Sequence, residues 1–259
     1  MTRSIARASA AAIAALLAAT LLPGSAIAEA PGPIHAGNTY GWYRSGVTRY
    51  EFHGHKKRFW HVSGRGTVRN QHGMLTLNTA RRGSVSATLA RAGHRTGRWE
   101  IRLRSRRYGS GHTNYRVVTQ LIPAGTHKQH CGGRNIGLED YRLGTSRTRF
   151  YIHTLPDNTF RARKGMRLHN DQWHTFAVEV TRHHISWFVD AHVVRTERRS
   201  AALSGVPLTV RFTMRATPHA RMNRSRMQMD WLRYWTDRYP STKSIRAPRT
   251  HRSTFNQAC

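Results

Sequence analysis

Trp99-Glu100-Ile101-Arg102-Leu103-Arg104 alternates apolar and charged residues without a break. A β-strand turns successive side chains to opposite faces, so Trp99, Ile101 and Leu103 share one side while Glu100, Arg102 and Arg104 share the other. The same period of two recurs at 73–78, 84–89, 115–122, 173–180, 185–189, 208–214 and 227–235. These runs are short, Gly, Asn, Asp and Arg separate them, and none keeps a 3.6-residue period through three turns. About a dozen strands with almost no helix predict an all-β sandwich or barrel. No repeat of fixed length runs through the chain, which argues against a propeller or solenoid.

The composition supports a folded domain. The chain has 259 residues, 38% of them hydrophobic, with seven Trp and eight Phe to anchor a core. That excludes a disordered basic tail, and only two cysteines exclude a disulfide-framework miniprotein. Residues 1–28 read as an export leader: Arg3 and Arg7 precede an uncharged apolar run over 10–22, and Ala26-Ile27-Ala28 supplies small residues for cleavage. The apolar run falls short of the roughly 20 residues a spanning helix needs, and no later segment is long and apolar enough. We therefore expect a secreted protein, extracellular or associated with the cell wall. The expected plan is a leader (1–28), a linker (29–38), one β domain (39–238) and a basic tail (239–259).

Four of the alternating runs, taken in order, resemble glycoside hydrolase family 16, the laminarinase and lichenase type of β-glucanase. Thr96-Gly97-Arg98-Trp99-Glu100-Ile101-Arg102 is similar to that family's Gly-Arg-Phe-Glu-Ala-Arg strand, and residues 171–179, Asp-Gln-Trp-His-Thr-Phe-Ala-Val-Glu, to its Asp-Phe-His-Thr-Tyr-x-x-Glu run. Ile185-Ser186-Trp187-Phe188-Val189-Asp190 resembles Ile-x-Trp-Tyr-Val-Asp, and residues 227–234 resemble the closing Met-x-Val-Asp-Tyr-Val-Arg-Val strand. The resemblance covers about residues 59–236. It implies a concanavalin A-like jelly-roll sandwich of two antiparallel sheets with a glycan cleft along the concave one.

The resemblance also implies where the chemistry lies. The family writes it on one strand as Glu-x-Asp-x-Glu or, with a bulge, Glu-x-Asp-x-x-Glu. A retaining glycosidase needs a nucleophilic carboxylate and an acid/base carboxyl about 5 to 5.5 Å apart. The matching segment here is Asn135-Ile136-Gly137-Leu138-Glu139-Asp140-Tyr141. Asn135 stands in the nucleophile position, Gly137 in that of the middle Asp, and either Glu139 or Asp140 in that of the acid/base. Without a bulge Glu139 joins Asn135 on the cleft side and Asp140 turns toward the apolar face. A bulge reverses the two and leaves Tyr141 where the family has an aromatic residue. The cost of burying an unpaired Asp tilts the reading toward the bulge.

No other carboxylate replaces the missing nucleophile. Glu100, Glu179, Asp190 and Asp230 occupy positions that look structural in the family's strands, and no second paired-acid spacing occurs among the 12 acids. One route around this is catalysis by a substrate's own acetamido group, with Asn135 orienting it. Tyr115 and Tyr141 are candidates for stacking on sugar, and Arg102, Arg104 and Arg134 for holding an acidic ligand. His127, His130 and Cys131 have ligand-like spacing but no partner cluster, so neither a metal nor a cofactor is expected. Cys131, in a Gly-rich loop before the site strand, and Cys259, at the end of the tail, are expected to pair in an oxidising compartment.

Charge separates this chain from an ordinary glucanase. With 43 Lys and Arg against 12 Asp and Glu, it carries +31 and loses only Arg3 and Arg7 with the leader. Such a field attracts polyanions. Nucleic acid is not the expected partner, because no nucleic-acid-binding motif accompanies the charge. Three functions remain: a glycan-binding protein on a glycosidase scaffold with weak or absent hydrolysis, an active hydrolase of cell-wall or β-linked polysaccharide, and a jelly-roll polyanion lyase. The expected partner is a polysaccharide, in one form an anionic or phosphate-bearing wall glycan.

Overall fold

The computed structural model describes residues 34–52, 59–125, 134–155, 158–168, 171–241 and 243–254. The leader, both cysteines with their expected bridge, and His127 and His130 lie outside the described residues. Sixteen strands are present among the described residues: β1 (Val47–Glu51), β2 (Trp60–Gly64), β3 (Gly66–Gln71), β4 (Met74–Thr79), β5 (Val85–Leu89), β6 (Gly97–Tyr108), β7 (Arg116–Pro123), β8 (Asn135–Arg142), β9 (Arg147–Thr154), β10 (Asn158–Gly165), β11 (His174–Val180), β12 (Ile185–Val189), β13 (His192–Glu197), β14 (Leu208–Arg215), β15 (Arg224–Trp235) and β16 (His251–Thr254). One sheet runs β13-β12-β11-β6-β15-β4-β3, with β1 also on β15, and the other runs β16-β10-β9-β8-β7-β14-β5-β2. Every pairing is antiparallel.

The expected two-sheet sandwich follows from strand parity. On β6, Trp99, Ile101 and Leu103 turn inward and join Val117 and Leu121 of β7, Ile136 of β8, Phe150 and Ile152 of β9, and Phe212 of β14 in one buried cluster. Burying such side chains contributes roughly 1.5–3 kcal/mol each, which makes the inward parity of each strand hard to reverse.

The opposite face of β6 is partly covered by the segment entering the domain. Helix α1 (Ala36–Thr39) and the 3-10 turn Trp42–Ser45 lie over it. Ala36 and Trp42 pack with Ala177, Phe188 and Trp235 in a second apolar cluster. Beneath them the carboxylate of Glu100 accepts hydrogen bonds from the Ala36 N–H at 2.6 Å and the Gly37 N–H at 3.0 Å. Part of the expected linker is therefore structural.

The segment after Tyr239, read from sequence as a basic tail, also belongs to the fold. Arg98 is fully buried and donates to Glu179 at 3.0 Å, to the Thr236 carbonyl at 3.1 Å and to the Tyr239 carbonyl at 2.5 Å. Ser244 donates to the other Glu179 oxygen at 3.0 Å. Further on, the Thr196 N–H donates to the Pro248 carbonyl, and β16 pairs with β10. Glu197 accepts from both Arg199 and Thr250. Burial alone would raise the Glu197 carboxyl, but these donors hold it down at about 2. Polar anchoring substitutes here for the apolar alternation whose absence suggested a tail.

The Arg98–Glu179 pair gives a test. Glu179→Ala should lower the urea unfolding free energy by about 3–5 kcal/mol, because it leaves a buried guanidinium without its carboxylate. Replacing both residues by Met should cost much less than the single change.

Candidate functional site

β8 is bulged. Ile136 opposes Leu121 and Gly137 opposes Gln120 on β7, whereas Glu139, Asp140 and Tyr141 oppose Thr119, Val118 and Val117. One residue more is used on β8 than on β7 between these pairs. The register against β9 slips at the same place, where Gly137 faces Tyr151 and Asp140 faces Arg149. Ile136, Leu138 and Tyr141 consequently all enter the core. Asp140 turns to the outer face of the sheet and Glu139 is left in the interior, fully buried.

Each position on the outward face has a definite occupant. Asp140 is held from both sides: one oxygen accepts from Arg116 Nε at 2.7 Å and Nη2 at 2.6 Å, the other from Arg149 Nη2 at 2.6 Å. Asn135 is 5% exposed and its Nδ2 donates to Gln120 Oε1 at 3.5 Å. Its Oδ1 has no hydrogen-bond partner among the described residues. The same Gln120 oxygen accepts from the Tyr151 hydroxyl at 2.8 Å, and the Tyr151 ring stacks on His153 with centroids 4.5 Å apart. Burial pushes the Tyr151 phenol up, and the nearby Asp140 charge adds to this, so it remains a donor.

Gly137 is bare because Tyr151 lies over it. A Cβ there would come within 2.4 Å of the Tyr151 ring. Its carbonyl is fixed from the other side of the sandwich by Trp187 Nε1 at 2.9 Å. The space above Gly137 is thus filled by a neighbouring aromatic ring. Arg211 and Arg215, whose inward neighbours on β14 are Val210, Phe212 and Met214, add positive charge to this outward face.

Several candidates from the sequence are not here. Tyr115 is fully buried and donates to the Ala80 and Gly83 carbonyls, both at 2.9 Å; Tyr141 is 3% exposed and its hydroxyl meets Ser105 at 2.8 Å. Both are core residues, Tyr115 through the parity it shares with Val117 and Tyr141 because the bulge brings it to the side of Leu138, and neither is placed to stack on a ligand. Arg102 and Arg104 project from β6, which belongs to the other sheet, so they cannot line the face of Asp140. Arg102 pairs with Asp230 at 2.5 Å, Arg104 bonds Gln228 at 3.0 Å, and both guanidinium groups lie over Trp173. Arg134 precedes β8, exposed and with φ of 58°. The residues that do surround Asn135 and Asp140 are Arg116, Gln120, Arg149, Tyr151 and His153. Parity would have found them: Val117 and Leu121 inward require Arg116 and Gln120 outward, and Phe150 and Ile152 inward require Arg149, Tyr151 and His153 outward.

The outward face of β8 therefore carries an amide, a glycine and an ion-paired Asp. Among the described residues no cluster of three His, Cys, Asp or Glu converges to hold a metal.

Residues 55–233 match the family described as glycosyl hydrolases family 16. No curated protein matches the chain. Among solved structures, the endo-β-1,3-glucanase from Pyrococcus furiosus is similar at a TM-score of 0.60 and 11% identity, covering 73% of this chain and 93% of that one. The laminarinase catalytic domain from Thermotoga maritima MSB8 gives 0.60 at 12% identity, over 74% and 98% of the two chains. The laminarinase from Rhodothermus marinus gives 0.57 at 13%, over 73% and 95%. At these identities the likeness is one of fold.

The bulge has a measurable cost. Burial holds the Glu139 carboxyl well above the usual range; Thr119 opposes this in part, and the Asp140 charge adds to it. The unfolded chain ionises at the ordinary carboxylate pKa of about 4.3 while the folded one stays protonated, so this group loses the protein stability as pH rises past that value. Thermal or urea unfolding of wild type and Glu139→Gln between pH 4 and 7 should show the variant gaining relative stability by up to about 1.4 kcal/mol per pH unit.

Proposed function

Because the chain belongs to glycosyl hydrolases family 16, we propose that it is a carbohydrate-active protein that binds glycan on the outer face of β7, β8 and β9 with weak or absent hydrolysis. The observation that carries this is the state of β8. The nucleophile position is an amide, which has no anionic oxygen to attack an anomeric carbon. Both oxygens of Asp140, the outward acid, already accept from guanidinium groups. Glu139 faces the core and cannot reach a leaving group. Binding needs none of these lost functions, since Gln120, Asn135, Tyr151 and His153 offer hydrogen bonds and an aromatic surface.

The same face favours an acidic ligand. Arg116 and Arg149 flank the outward carboxylate on β8, and Arg211 and Arg215 add positive charge to the same face, so an anionic or phosphate-bearing wall polymer fits better than a neutral glucan. Proton abstraction by Tyr151, as a lyase would need, is disfavoured by a phenol that holds its proton. The leader over 1–28 supports export to the extracellular space or cell wall, where Cys131 and Cys259 would oxidise.

The test combines binding and product analysis on a panel of neutral and anionic polysaccharides. The wild type should bind an anionic polymer, with affinity falling as salt rises, and release neither reducing ends nor unsaturated products. Turnover of a bound glycan by the wild type would overturn the reading. Asn135→Glu with Gly137→Asp should remain inert, because the new Asp meets the Tyr151 ring. Adding Tyr151→Ala to open that space and Arg149→Ala to free an Asp140 oxygen should raise reducing-end release by about 10²-fold or more.

A further inference from the structure

We propose that the cavity bounded by β10, β13 and the segment entering β16 is a binding site for the phosphate groups of an anionic carbohydrate or polyol polymer. It measures 540 Å³ and is lined by Arg161, Arg163, Arg195, Arg249, His251 and Ser253, with the Ala162 methyl at its wall. Four guanidinium groups and an imidazole line it, and among the described residues none of the lining side chains is a carboxylate.

The lining arginines are not among those that hold a carboxylate. Arg98, Arg102, Arg116, Arg149 and Arg199 each hold a carboxylate. Among the described residues, Arg161 bonds only the Ser253 hydroxyl, and Arg195 reaches only the Val194 carbonyl at 3.4 Å. The side chains of Arg163, Arg249 and His251 have no hydrogen-bond or ion-pair partner among the described residues. Like charges scattered over open surface repel weakly, but like charges gathered in a concavity focus their field and favour a multivalent counter-ion. Guanidinium presents paired N–H groups that match phosphate oxygens.

The lining selects among phosphate-bearing molecules. Among the described residues it contains no Phe, Tyr or Trp. Single-stranded nucleic acid draws much of its affinity from bases stacked on such rings, so a sugar or polyol phosphate is the better match. Position supplies the link to β8. Arg161 lies directly across from Tyr151, and Arg163 from Arg149, in the pairing of β10 with β9. β10 stands two strands from β8, about 10 Å. A polymer on β8 would thus carry a substituent into the cavity; that connection rests on the function proposed above, whereas the anion site does not.

The experiment uses the full chain and three probes: a poly(glycerol phosphate) oligomer, oligothymidylate of equal charge, and a neutral β-1,3-glucan oligomer. Arg163→Ala with Arg249→Ala removes two exposed side chains, and circular dichroism checks that the fold survives. Arg81→Ala with Arg82→Ala, in the loop before β5 on the far side of the sheet, is the control. The cavity pair should weaken poly(glycerol phosphate) binding about tenfold or more and flatten its salt dependence, while the control pair changes it less than about twofold. Equal losses from the two pairs would overturn the site in favour of general electrostatic adhesion. Oligothymidylate binding as tight and as sensitive to the cavity pair would overturn it in favour of a nucleic-acid site. If poly(glycerol phosphate) still depends on the cavity pair while Tyr151→Ala alters no glycan binding, the β8 reading fails and the anion site stands.

Discussion

A strand in a two-sheet sandwich must give one face to the core, and β8 carries two consecutive acids that cannot both be given to solvent. The bulge at Leu138–Glu139 resolves this by keeping Ile136, Leu138 and Tyr141 inward and sending Asp140 out. Its cost is Glu139, an acid in an interior that favours its neutral form. Trp187 reaches from the opposite sheet to the Gly137 carbonyl and fixes the strand just before the irregularity. What the outward face can do follows from that choice of parity.

On that face, the acid is charge-compensated. A carboxylate that donates a proton needs an oxygen left free to carry it. Asp140 instead sits between Arg116 and Arg149, and Gln120 holds Asn135 and Tyr151 together through a single oxygen. The acids that lie in strands resembling the family are spent on architecture: Glu100 caps the entering segment, Glu179 neutralises Arg98, and Asp230 pairs with Arg102. With so few acids in the chain, each one assigned to structure leaves positive charge elsewhere without a partner.

The sandwich was legible because alternation is a direct record of burial. Residues 185–189 form β12 as read, and 208–214 fall within β14. The site was legible as a position and poorly legible as a set of neighbours. Asn135, Gly137, Glu139 and Asp140 could be placed on one strand from a local pattern. Whether a strand bulges depends on the register of β7 and β9, which one-strand parity does not contain. Arg102 and Arg104 were assigned by charge and by the parity of their own strand, and neither carries information about which sheet that strand joins. Tyr115 was open to correction from parity, since Val117 and Leu121 two and six residues on both face the core. Tyr151 could not be linked to Gly137 without the pairing of β8 and β9. The final segment was misread because polar anchors, Arg98 to Tyr239 and Glu197 to Thr250, leave no periodic trace.

β16 is only four residues long, yet it occupies the open side of β10. Without it, Asn158–Arg161 of β10 would present unpaired backbone to other chains, the condition that promotes edge-to-edge association. Here a strand held by an ion pair and a hydroxyl supplies the missing partner from within the same molecule. Proteolytic loss of those few residues would do little to the core, but it would change the protein's colloidal behaviour by exposing a template for intermolecular pairing.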